Sequence, residues 1–103
     1  MTLLSSLELY RPFDWTITDF TINFRSVLLN FNRGKYFISL DVDNATGEYL
    51  VTVMRKDDDT IVSFDQKELT DILGPQASLH EEGNYWYWIR KKDLPTLFSK
   101  LRD

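Results

Sequence analysis

The chain has no cysteine and a single histidine among its 103 residues. The first absence removes disulfides, thiolate metal sites, iron–sulfur clusters and cysteine nucleophiles together. The second removes the paired-histidine zinc motif, which needs two imidazoles one helical turn apart. Glycine is scarce as well. Its four copies stand singly, so no glycine-rich loop is there to cradle a phosphate. No Gly-x-Ser-x-Gly elbow nominates a serine nucleophile. No apolar run approaches the ~20 residues of a membrane span, and Leu3-Leu4 gives way at once to Ser5, Ser6 and Glu8, unlike a signal peptide. The expectation is a single cytoplasmic domain over residues 1–103, with no metal, no cofactor and no membrane contact.

Basic charge is also in short supply: 12 Lys and Arg against 16 Asp and Glu, a net of −4. The excess is local. Residues 1–40 and 72–103 each carry a net of +1, whereas residues 41–71 carry −6. A duplex-binding protein needs the reverse, a basic stripe that displaces counterions from phosphates. Direct nucleic-acid binding is therefore not expected.

What is present in quantity is aromatic and apolar surface, 15% and 43% of residues. Its spacing is mostly that of strands. Phe20, Ile22 and Phe24 alternate with polar residues, then Val27, Leu29 and Phe31 continue on odd numbers. A bulge or short turn near Arg25-Ser26 accounts for the change of phase. After a turn at Asn32–Lys35, Tyr36, Ile38, Leu40 and Val42 face one way. A second turn at Asp43–Gly47 leads to Tyr49, Val51 and Val53, and Asp57-Asp58-Asp59 closes that strand before Ile61–Phe64. Strands joined by short polar turns predict an antiparallel meander.

The period then changes. Asp65 with Glu68 forms a capping-box pattern ahead of Leu69, Ile72 and Leu73, and Gly74-Pro75 stops the helix. Ala77–His80 and Tyr85–Arg90 pair as a hairpin across Glu81-Glu82-Gly83-Asn84. Asp93 is placed as the cap of a last helix carrying Leu94, Leu97, Phe98 and Leu101 at helical spacing. Leu3–Tyr10 fits a strand or a helix equally well. The sum is an α+β domain: an antiparallel sheet of about five to seven strands with two short helices packed on one face.

Few residues stand out chemically. His80 beside Glu81 and Glu82 suggests acid–base or metal chemistry, but strand neighbours point to opposite faces and do not converge. Asp41 and Asp43 resemble the start of a calcium loop, yet Ala45 and Thr46 stand where such a loop needs an acid and a glycine. Tyr85-Trp86-Tyr87-Trp88-Ile89 is more informative. As a strand it is aromatic on both faces, so Tyr85, Tyr87 and Ile89 fill the buried side and the indoles of Trp86 and Trp88 are left for a platform.

These observations select a non-enzymatic protein-binding module, an acidic inhibitor, immunity or antitoxin-type protein that sequesters a basic nuclease or nucleic-acid-binding partner. Asp41, Asp43, Asp57, Asp58 and Asp59 are the expected electrostatic residues, and Trp86 and Trp88 the expected anchor. A small structural or adaptor subunit acting as a homodimer is the alternative, and a small-ligand binder or carboxylate-based enzyme the third.

Overall fold

The computed structural model describes residues 15–22, 26–43, 48–75, 77 and 79–101. Among the described residues, seven strands form one antiparallel sheet: β1 (Thr16–Ile22), β2 (Ser26–Arg33), β3 (Tyr36–Asp43), β4 (Glu48–Asp57), β5 (Thr60–Ser63), β6 (Leu79–Gly83) and β7 (Trp86–Arg90). With two short helices, α1 (Gln66–Leu73) and α2 (Leu94–Lys100), among the same residues, the fold is α+β. The strand order is β1-β2-β3-β4-β7-β6. The long strand β4 is shared on one edge: its first half pairs with β7 and its second half with β5.

Alternation sets the inward face. Val27, Leu29 and Phe31, then Ile38, Leu40 and Val42, then Tyr49, Val51 and Val53, and finally Tyr87 and Ile89 are all buried. Leu69 of α1 and Leu94, Leu97 and Phe98 of α2 belong to the same hydrophobic cluster. Phe98 centres the join, edge-on to both Trp15 and Phe31 with ring centroids 5.2 Å apart in each pair. The Trp15 indole donates to the Phe98 carbonyl at 3.1 Å, so this buried polar group is satisfied.

Local chemistry explains the helix starts. The Glu68 amide donates to Asp65 Oδ1 at 2.8 Å and the Asp65 amide to Glu68 Oε1 at 3.4 Å, a reciprocal capping box. Gly74, at φ +94°, ends α1. Asp93 does not cap α2. It lies in a 3₁₀ turn over Lys91–Asp93, and its carboxylate accepts from Arg90 Nε at 3.1 Å instead. Asp93 holds the N-cap position but with helical backbone angles (φ −90°, ψ −8°), not the extended conformation from which a side chain caps.

Other expectations are corrected. Ile22 pairs with Val27, so of the bulge and the short turn expected after β1 it is the chain reversal that occurs, while Ile22, placed by alternation on the apolar side of its strand, is 66% exposed. A register shift does occur, earlier, between Ile17 and Asp19. The β6–β7 hairpin turns at Asn84-Tyr85, both at positive φ (51° and 66°), not at Glu81–Asn84. Two consecutive left-handed residues suit the twist of a tight hairpin. The turn carries Tyr85 out of the strand, leaving it 49% exposed rather than on the buried side. The ambiguous Leu3–Tyr10 segment and the Asp43–Gly47 turn beyond Asp43 lie outside the described residues, as does Phe24. Among the described residues no helix is long and apolar enough to cross a membrane, which says nothing of a β-barrel.

Candidate binding surface

Residues paired across a sheet point to the same side, and register therefore assembles the outward face. Leu28 lies opposite Asp41, Asp41 opposite Leu50, Leu50 opposite Trp88, and Trp88 opposite His80. This row crosses five strands. Next to it run Asn30, Ser39 and Thr52, where the Ser39 hydroxyl bonds Asn30 Oδ1 and Thr52 is buried. Phe37 and Met54 follow in a third row. Among the described residues, the side chains lining two depressions on this face come from strands and their turns.

Trp86 and Trp88 both stand on this face, half-buried and outside the core cluster. Trp88 is fixed in place, since its indole nitrogen donates to Glu82 Oε2 at 2.7 Å. Glu82 reaches it because the register between β6 and β7 shifts between Glu81 and Gly83, giving the strand an extra residue there. Trp86 forms one wall of a depression of about 360 Å³ with Leu28 and Leu50, and Asp41, Glu82 and Asn84 supply its polar rim. Asp41 Oδ1 is buried and has no hydrogen-bond partner. A buried acceptor without a donor is expensive.

The aspartates do not form one patch. Asp41 and Asp43 belong to the end of β3 that pairs with Leu50 and with Ser26, and the Asp43 side chain lies outside the described residues. Asp57, Asp58 and Asp59 sit at the far end of β4, seven residues beyond Leu50, which is roughly 23 Å at strand rise. Asp57 is committed to Arg55, whose Nε donates to it at 2.8 Å. The same guanidinium reaches Glu68 of α1 at 3.2 Å and lies over the Phe64 ring at 5.4 Å. The hydrogen bond to Asp57 is the first cause that holds the Arg55 pKa above its ordinary value. Asp58 and Asp59 form the exposed hairpin tip, Asp58 at φ +53°.

A second depression, about 540 Å³, lies beside the start of α1 between Asp65, Lys67, Glu81, Tyr85 and Tyr87. Burial first, and then the charge of Glu81, pushes the Tyr87 phenol above its usual pKa. His80 is exposed on the edge strand, opposite Trp88. No group of three metal-ligating side chains comes together among the described residues.

Leu28, Leu50, Glu82 and Asn84 were not singled out by sequence. A signal for the leucines exists: each is an apolar residue on the polar phase of its strand. Nothing local marks Glu82, whose role depends on the bulge. Compared with known proteins, the chain matches no family model, no curated protein and no solved structure.

Proposed function

We propose that this chain is a non-enzymatic protein-binding module that docks a basic partner on the outward face of its sheet. The observation that carries the reading is the pairing, among the described residues, of two half-buried indoles with the Asp41 and Glu82 carboxylates on one face of the sheet. Tyrosine and tryptophan dominate interface energetics when they seal against a partner, and the Asp41 and Glu82 carboxylates in the lining of the depression reward a partner that brings donors. The two carboxylates that line the depression, Asp41 and Glu82, with no lysine or arginine beside them, favour a basic surface. Occupying the cleft of a nuclease or other nucleic-acid-binding protein is the inhibitor, immunity or antitoxin role that fits this chemistry.

The test is comparative capture from the native host. Wild-type protein should retain a basic partner that Trp86→Ala releases, with affinity falling at least about 30-fold, the equivalent of 2 kcal/mol. The tip variant Asp58→Asn/Asp59→Asn should retain it. Equal retention by Trp86→Ala refutes the docking face.

A homodimer is the second reading, favoured by one observation: Ile22, 66% exposed, ends the edge strand β1. Edge strands invite pairing with another chain. A proline at Thr21 should dissolve such a dimer in sedimentation, and a concentration-independent monomer eliminates it.

A further inference from the structure

The depression walled by Trp86 has a composition that narrows what it accepts. Its floor and sides are apolar, supplied by Leu28, Leu50 and the Trp86 indole. Its polar groups are two carboxylates and one amide, and no lysine or arginine lines it. One carboxylate oxygen, Asp41 Oδ1, is buried with no donor. The other carboxylate is already oriented, since Glu82 Oε2 accepts from the Trp88 indole and leaves Oε1 for another donor. Among the described residues, no hydrogen bond uses the Trp86 indole nitrogen.

We propose that this pocket receives an arginine side chain of the partner, its guanidinium stacked on the Trp86 indole and hydrogen-bonded to Asp41 and Glu82. The proposal rests on the docking-face reading above and names the group by which that face recognises its partner. Cation attraction to an indole face, two acceptors and an apolar sleeve for a methylene stem are the features an arginine uses together. Guanidinium suits the site better than ammonium for two reasons. Its planar fork presents several donors at once, so one group can serve both carboxylates. It is also more weakly hydrated, so losing its water in a pocket walled by Leu28, Leu50 and the Trp86 indole costs less.

The pocket is separable from the rest of the face. Asp41→Asn keeps the shape and removes the charge, whereas Met54→Asp alters the face two rows away and leaves the pocket lining intact. Capped Ala-Arg-Ala, Ala-Lys-Ala and Ala-citrulline-Ala peptides serve as probes, with the indole N–H cross-peaks of Trp86 and Trp88 as the readout. The arginine peptide should shift the Trp86 signal saturably with a millimolar constant. The neutral citrulline peptide and the Asp41→Asn variant should each weaken that binding at least tenfold. Met54→Asp should leave it unchanged, with the amide spectrum confirming the fold of each variant.

Absence of a saturable shift, equal binding of citrulline, or lysine binding as tightly as arginine overturns the guanidinium pocket. Partner capture separates this failure from failure of the wider reading. Capture lost in Met54→Asp but kept in Asp41→Asn refutes the pocket and leaves the face standing, while capture kept in both sinks the face. A dimer in sedimentation that Trp86→Ala dissolves makes a second copy the occupant and overturns the hetero-partner.

Discussion

Replacing Asp41 with leucine should stabilise the free domain, the opposite of what most strand substitutions do. Asp41 sits in β3 between Leu28 and Leu50, each directly opposite it on a neighbouring strand. Its Oδ1 is buried without a donor, and an unmade hydrogen bond of this kind costs about 1–3 kcal/mol, more for a charged group. Leucine removes that cost and adds apolar contact with two flanking leucines. Because the position is only half-buried, the burial gain is well below the 1.5–3 kcal/mol of a fully buried leucine. Strand preference adds a little more, since aspartate is depleted in strands. A gain of about 2 kcal/mol is expected, which raises Tm by about 8–16 °C in a domain of this size. Urea denaturation should show a higher midpoint with an unchanged slope, the mark of altered stability rather than an altered unfolded state. The same variant should lose the arginine peptide. A midpoint that is unchanged or lowered at constant slope would refute the reasoning, because it would mean that the oxygen carries no penalty in the free protein. Stability gained as binding is lost is the trade expected of a group kept for recognition.

Phe98→Ala should cost about 3–5 kcal/mol by urea denaturation, since the ring holds both Trp15 and Phe31 at its centre; a loss below about 1 kcal/mol contradicts its central place. Asp65→Ala removes the acceptor for the Glu68 amide and should cost about 1 kcal/mol, with no loss seen if the helix is held by tertiary contacts alone. Tyr87 has its folded pKa raised above the ordinary 10.0. The stability it contributes is therefore fully present below that value and is lost as pH rises through the folded pKa. Thermal stability should fall on the alkaline side, and absorbance should show a late tyrosine ionisation that belongs to Tyr87; a Tyr87→Phe variant with the same late step disproves the assignment.

Trp86 and Trp88 illustrate how far periodicity reaches. Alternation put them opposite Tyr87 and Ile89, and those two residues are buried as expected. It also assigned Tyr85 to the buried side, which failed because two left-handed residues make Asn84-Tyr85 the turn and start the strand one position later, at Trp86. The acidic segment taught a different lesson. Net charge along the chain grouped Asp41 with Asp57, but a ten-residue strand separates their ends, and Asp57 is spent on Arg55. Linear charge density carries no information on which groups share a surface.

The sequence by itself determined the elements whose causes are local. The capping box of α1 spans four residues, the α2 stripe of Leu94, Leu97, Phe98 and Leu101 spans eight, and the inward rows of β2, β3 and β4 follow from a period of two. Tertiary structure alone decided that β7 inserts beside β4, which sets Trp88 against Leu50 across 38 positions of chain. It alone gave Glu82 to the Trp88 indole, Asp93 to Arg90, and an unpartnered oxygen to Asp41. The reason is physical. A cap or an alternation is satisfied by neighbours within a turn or two, whereas strand pairing is settled by the total burial gained over the whole sheet, and a polar side chain's partner is whatever that register brings within reach.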